Sequence, residues 1–440
     1  MIQIKRLLSL TLTMLTVLTT WAQSNGSNSS YSRFGLGTSN NQSQGFNRAM
    51  AGVAQGMRNG EKINYLNPAS YAAIDSLTFL FDVGMGIQQG HIKSSGNSLN
   101  AFNASLEYVN AAFRMKKGLG MSIGFLPYTT IGYNFTNSKA VGSTYTTAKT
   151  IRTETNYYGN GGLHQMYMGV GWNPVADLSI GANIGYLWGA YDHSLVQQFY
   201  EGTSTSSNSN YNSQNELWTS DIKTYKIDFG VQYPIKINKK NMLTLGVSTS
   251  IGHNIASEVT LMRFTSQGDT LTSKAKNAFE LPYTISGGAS WQHKENLIIA
   301  ADYTLERWDG CKVPVSQTTP TTSTINVATD QYLNRHRIAL GAEYFINPLG
   351  RKYRELIRYR LGVSYATPNI KVNGQNGPAE YGITAGVALP LTTRSKSLIN
   401  VTAEWMRRSP STKGQITENY LMLHMGITFN EAWFLKWKFQ

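Results

Sequence analysis

Leu178-Ser179-Ile180-Gly181-Ala182-Asn183-Ile184-Gly185-Tyr186-Leu187-Trp188 is the stretch whose reading decides the fold. Leu178, Ile180, Ala182, Ile184, Tyr186 and Trp188 fall on one side of an extended chain, opposite Ser179, Gly181, Asn183, Gly185 and Gly189. One face is apolar and the other is wet. The same period of two returns over 225–233, 243–251, 359–365, 381–389, 399–405 and 421–429. Several of these rows begin or end in Tyr or Trp, as strands with rings at a membrane interface do.

Worked outward from there, the pattern predicts fourteen strands, at 75–88, 101–115, 118–135, 162–173, 177–198, 219–234, 241–259, 278–292, 296–308, 331–346, 355–369, 379–390, 397–408 and 418–430. Tight connections carrying Lys116-Lys117, Lys239-Lys240, His293-Lys294 or Arg351-Lys352 alternate with longer Ser/Thr/Asn-rich ones near 89–100, 136–161, 199–218, 260–277, 309–330, 370–378 and 409–417. Short turns at one end and long loops at the other are the habit of outer-membrane barrels, whereas a soluble sandwich has shorter strands and no such alternation. The fold class is therefore all-β: a transmembrane antiparallel β-barrel of about 14 strands, over residues 75–440. An even count places both termini on the periplasmic side.

Composition agrees. Of 440 residues 15% are charged, with 41 glycines, 25 Tyr, 16 Phe and 9 Trp, which suits many strands, tight turns and aromatic girdles. Residues 1–22 read as an export signal, with Lys5-Arg6 before a short apolar core and Thr20-Trp21-Ala22 as a small-x-small cleavage site. After it, no run approaches the roughly 18 apolar residues of a spanning helix. Cys311 is the single cysteine, so no intrachain disulfide and no thiolate metal cluster is expected. The net charge of +14 is scattered through turns without a nucleic-acid-binding module, so the expected neighbours are outer-membrane lipid and lipopolysaccharide and not nucleic acid.

The chain before the first strand has a different character. Gly45-x-x-Arg48-Ala49-x-Ala51-Gly52, followed after a spacer by Asn67-Pro68-Ala69, resembles the N-terminal hatch of the FadL/TodX family of outer-membrane transporters for hydrophobic compounds. The resemblance continues in patches to about 389, with Leu281-Pro282-x4-Gly287-x-Ala289-Ser290-Trp291 and 358–365 similar to the family's middle and late strands. It implies a plug over residues 23–74 inside the lumen. Where the family's hatch carries an acidic pair, this chain has Met57-Arg58-Asn59.

Candidate chemistry is sparse. Gly120-Met121-Ser122-Ile123-Gly124 matches the spacing of a nucleophile elbow, but the elbow needs a helix after it and the segment alternates as a strand, which makes Ser122 a lumen-facing residue. His164, His193, His253 and His424 lie on separate strands with no metal-ligand spacing, and Asp228, Asp302, Glu306 and Glu404 share polar faces with Lys226 and Arg360, which suggests internal ion pairs. No enzyme activity, cofactor or metal is expected.

The third strand is irregular. Its apolar parity holds through Phe125, then Leu126 and Tyr128 change phase around Pro127, a residue that cannot donate to a ladder. One reading is an ordinary bulge. The resemblance implies a second, because in the FadL family a kink in the third strand opens the barrel sideways, and Gly124, Phe125, Leu126, Pro127 and Gly132 match that location. It further implies passive uptake of a hydrophobic small-molecule ligand, long-chain fatty acids or aromatic hydrocarbons, captured in an apolar lumen pocket and released laterally. The alternatives are a FadL-like barrel that anchors or shuttles secreted proteins, and a general diffusion porin. The sequence names no protein partner.

Overall fold

The computed structural model describes residues 28–76, 78–94, 97–143, 150–175, 177–201, 213–268, 270–318, 323–348, 350–391, 396–410, 412 and 414–432. The export signal expected at 1–22 lies outside the described residues. Strands follow where the alternation predicts them: β1 (Thr78–Ser94), β2 (Asn97–Lys116), β3 (Leu119–Pro127 continued by Thr129–Ser143), β4 (Thr150–Val175), β5 (Leu178–Glu201), β6 (Gln214–Asn238), β7 (Asn241–Ser250), β8 (Tyr283–His293), β9 (Leu297–Arg307), β10 (Arg335–Phe345), β11 (Arg358–Ala366), β12 (Pro378–Pro390), β13 (Leu398–Pro410) and β14 (Thr417–Ala432). Each pairs antiparallel with the next, and β14 returns to β1 from Thr78↔Ala432 to Lys93↔Thr417. Closure joins the two sheet edges that an open sheet would expose to lipid.

The two faces sort as the period demands. Ile184 and Val247 are 61% and 52% exposed on the outside, whereas Asn183 is buried and Ser248 half-buried on the inside. No helix of the described residues is long and apolar enough to cross a membrane; the strands cross instead.

Boundaries differ from expectation where polar alternation continues past the bilayer. β4, β5 and β6 have 26, 24 and 25 residues, more than twice the roughly 9–11 that a tilted strand needs to span. The connections expected at 89–100 and 136–161 are consequently mostly strand. The seventh strand, expected to reach 259, stops at Ser250; after Gly252 the chain makes a hairpin, Glu258–Thr265 with Thr270–Lys276, that adds to the upper part of β6. Pro282, which lacks a ladder donor, precedes the resumption in β8.

The chain before β1 runs through the lumen. It contains a 3-10 turn (Ser30–Arg33), a two-residue strand (Thr38–Ser39), the four-residue helix α1 (Gly45–Arg48) and a second 3-10 turn (Pro68–Ala73). Met50, Val53 and Ile63 are fully buried, a contribution of about 1.5–3 kcal/mol each. Tyr31 packs with Trp308, Cys311, Tyr332 and Ile370 from the long loops. The first described residues therefore lie at the long-loop end and Ala432 at the short-turn end, because the segment traverses the lumen before β1 begins.

Candidate functional site

The residues read as a hatch divide between opposite walls. Gly45 donates its N–H to the Tyr108 hydroxyl at 2.8 Å and accepts from Arg360 at 3.3 Å. Ala49 accepts from Thr384 at 2.8 Å, and Ala51 N–H donates back to the same hydroxyl at 3.0 Å. Gly52 has φ +76°, a left-handed conformation that ends the helical turn and would strain any L side chain. Arg48 reaches Glu107 at 3.4 Å and the Asn41 carbonyl at 2.8 Å. Asn67, Pro68 and Ala69 sit six strands away around the ring, where a Cβ at Gly181 of β5 would come within 2.4 Å of Pro68, as one at Gly362 of β11 would meet Ala51 at 2.4 Å. The smooth inner wall is what lets the segment approach so closely.

Ion pairs fasten the segment. Lys62 lies 3.0 Å from Glu343, which also holds Arg360 at 2.5 Å. Burial draws the Lys62 ammonium down to about 7 against the pull of that carboxylate. Removing one member of such a buried cluster leaves an uncompensated charge and costs about 3–5 kcal/mol.

The wall has a seam. β3 pairs with β2 from Lys116↔Leu119 to Val109↔Phe125, and above that rung no residue of β2 is paired with β3 among the described residues. On its other side β3 stays paired with β4 through Pro127↔His164, then five residues from Pro127 to Ile131 oppose four from His164 to Gly161. The extra residue is Tyr128. The phase change read at Leu126 is thus not a backbone slip: Leu126 keeps the ladder's alternation and points inward, fully buried among Tyr65, Tyr71, Tyr108 and Tyr167. β2 has its own bulge at the same level, where Gly84↔Tyr108 is followed by Met85↔Leu106 and Glu107 is extra.

Part of the seam is covered from within. Thr38 and Ser39 pair with Thr130 and Thr129, and Asn40 N–H donates to the Tyr128 carbonyl at 3.0 Å. Gly132 is held by Ser32 at 3.1 Å. Asn67-Pro68-Ala69, nearer in sequence to β1, does not lie here. The covering stretch 38–40 was missed in the sequence because a Thr-Ser-Asn run has no periodicity to mark it.

A cavity of 640 Å³ runs from this seam into the lumen. Its lining joins the outward-facing Leu106, Phe125 and His164 to the lumen, so it passes through the wall. The lining is mixed and not uniformly apolar: beside Leu66, Leu106, Phe125, Trp308, Met406 and Met422 stand five cationic side chains (Arg48, Lys226, Arg335, Arg337, Arg408) and six carboxylates (Glu107, Asp228, Asp302, Glu306, Glu380, Glu404). Inner-face positions of the strands are the polar ones, and the cavity inherits them. Most are paired, Arg335 with Glu306 at 3.1 Å and with Glu380, Arg408 with Glu380 at 2.8 Å, Lys226 with Asp228. Arg337 donates to the Ala51 carbonyl at 2.6 Å, and Asp302 accepts from the N–H groups of Ala54 and Gln55, the latter at 3.0 Å. Sequence reading found the four carboxylates on β6, β9 and β13 but missed Glu380 on β12 and Glu107, whose inward position depends on the bulge.

The other candidates stay apart. Ser122 Oγ touches the Ala111 carbonyl and the Tyr167 hydroxyl at 3.1 and 2.9 Å, in a strand with no helix after it. His164 stacks on Phe125 outside, His193 adjoins Tyr133, His253 lies on Tyr225, and His424 sits between Glu107 and Glu404 at 2.6 and 3.1 Å. Among the described residues no three such side chains are placed to hold a metal ion.

A family model described as BamG matches residues 1–440. No curated protein matches the sequence. Among solved structures the chain is similar to a Pseudomonas aeruginosa FadL homologue (12% identity, 88% of this chain and 98% of that one, TM-score 0.61), to the Pseudomonas putida toluene transporter TodX (14%, 91% and 100%, 0.57) and to the Ralstonia pickettii toluene transporter TbuX (14%, 91% and 99%, 0.55). At these identities the likeness is one of fold.

Proposed function

This chain belongs to the BamG family, and from that premise and the geometry above we propose that it is an outer-membrane barrel that exchanges hydrophobic molecules between its lumen and the bilayer through the seam. The observation that carries the reading is the cavity lined by both Glu107 inside and Leu106 and Phe125 outside. Charges in the lining narrow the ligand to one with a polar end, so a long-chain fatty acid suits it better than an aromatic hydrocarbon, whose transfer into a charged lumen gains little. In this reading residues 28–74 act as the hatch, residues 1–22 direct export, the long loops face outward among lipopolysaccharide, and Ala432 ends in the periplasm.

A second reading, a barrel subunit that anchors or shuttles secreted proteins, is favoured by one observation: the ion pairs of Glu343, Glu380 and Asp228 fix the lumen in a state that has no obvious use for passage. Crosslinking separates the two. With Cys311→Ser as background, cysteines at Ser105 and Thr129, on the two lips of the cavity, are joined by a bifunctional thiol reagent in cells. Uptake of a fluorescent fatty acid should fall severalfold on crosslinking and recover with a cleavable reagent. Uptake unchanged by a verified crosslink would leave the subunit reading.

A further inference from the structure

The short-turn end of the barrel carries its charge unevenly. Three consecutive turns, β6–β7, β8–β9 and β10–β11, hold Lys239, Lys240, Lys294, Arg351, Lys352 and Arg354, all exposed. Against them the same turns carry only Glu295 and Glu355, and none of these cations is ion-paired among the described residues. The rest of the rim is different. Lys396, before β13, is taken by Glu61 and Asp75 of the chain before β1 at 3.0 and 3.1 Å, and the Lys116-Lys117 turn adjoins one that carries Asp177. The three cationic turns are stitched together: Lys294 N–H donates to the Lys240 carbonyl, and Phe345 N–H to the Asn296 carbonyl at 3.0 Å. Asn238 Oδ1 fixes the first turn by accepting from the N–H groups of Lys240 and Asn241, each at 2.9 Å. The charges are thus held side by side on bonded backbone, where they repel one another.

We propose that this half of the rim is a binding site for phospholipids of net negative charge, phosphatidylglycerol being the simplest, in the leaflet that meets the short turns. Charge alone would suit an acidic protein equally well. Position decides between them. The turns stand at the foot of a wall whose outer face ends in exposed Ile237, Tyr344 and Tyr359, and tyrosines at a membrane boundary sit at headgroup level. Lipid phosphates there lie within reach of the lysines and arginines, whose methylene stems can rest on the apolar surface while the charged ends meet the phosphates. A headgroup with a compensating ammonium gains less from the same contacts. The periplasmic identity of this leaflet rests on the orientation given above, but the binding does not depend on passage of a ligand, so lipid binding and fatty-acid uptake are read separately.

The test reconstitutes the full chain in phosphatidylcholine vesicles holding traces of one of two photoactivatable lipids with the same acyl chains, a phosphatidylglycerol or a phosphatidylethanolamine. Both leaflets carry the probe, so either direction of insertion brings the short turns to it. Peptides spanning 237–241, 291–297 and 344–359 should be labelled severalfold more by the phosphatidylglycerol, and peptides around the β4–β5 turn equally by both. Lys239→Gln, Lys240→Gln, Arg351→Gln, Lys352→Gln and Arg354→Gln combined with Lys294→Asn should abolish the excess while heat-modifiable migration stays that of a folded barrel. Asn is chosen because Lys294 has φ +50°, a region it tolerates. Lys239→Gln with Lys240→Gln alone should already halve the excess, and Lys116→Gln with Lys117→Gln should leave it. Equal labelling by the two probes would overturn the proposal in favour of an acidic protein as the partner. An excess that survives the combined variant, or that the Lys116 and Lys117 variant removes, would overturn it by showing attraction to net charge without a site. Displacement by inorganic phosphate would overturn it in favour of a soluble anion.

Discussion

The β4–β5 wall and the β2–β3 wall start from the same kind of sequence and end differently. β4 and β5 stay in one register from Ile151↔Glu201 to Trp172↔Ile180, whereas β2 and β3 separate after Val109↔Phe125. Pro127 alone does not account for the difference, since it keeps its place opposite His164 on β4. What distinguishes the open wall is a bulge in each strand at one level, Glu107 in β2 and Tyr128 in β3. A bulge bends its strand and increases local twist. Two of them, each shifting the strand against its outer neighbour, turn the facing edges apart and leave backbone that persists in a membrane only where protein or a polar cavity serves it. Thr38–Asn40 and the charged cavity provide both.

The comparison can be broken at several points. The largest effect is expected from removing the lumen segment: deletion of residues 25–70 should turn a closed barrel into a steadily conducting pore in planar bilayers. Heat-modifiable migration would report whether the β4–β5 type of wall suffices to hold the fold. A conductance like that of the intact protein would mean that the segment does not obstruct the pore.

Next is the register of the closed wall. Ile184→Arg, outward near mid-membrane, should cost about 2–4 kcal/mol in urea titrations of the refolded protein, and Ser248→Arg, which lines the cavity, about 1 kcal/mol or less. Asn183 is a poorer inward comparator, because its side chain donates to the Tyr65 carbonyl at 3.1 Å and accepts from Tyr71 at 3.2 Å. Equal losses at 184 and 248 would defeat the assignment of faces.

The smallest effect sharpens the account of the seam. Pro127→Val restores one N–H but neither removes the Tyr128 bulge nor the Glu107 bulge, so fatty-acid uptake should stay within about twofold and stability within about 1 kcal/mol of the parent. A collapse of uptake in cells with matched surface levels would show that one proline, and not the paired bulges, keeps the wall open.

By itself the sequence determined the fold class, the fourteen strands and the side on which Ile184, Val247 and Asn183 stand. The physical reason is that a period of two is a property of local backbone geometry, written into every few residues. It also marked the third strand as irregular, although Leu126 misled, since an apolar residue facing a buried aromatic cluster in the lumen looks like a change of phase. Tertiary structure alone decided the rest. The cover over the seam joins Asn40 to Thr130, 90 residues apart, and Arg337 reaches the Ala51 carbonyl across 286. Glu107 lines the cavity only because β2 bulges against β1. Such contacts depend on which strands become neighbours when the ring closes, and a pattern repeated in every strand carries no record of that.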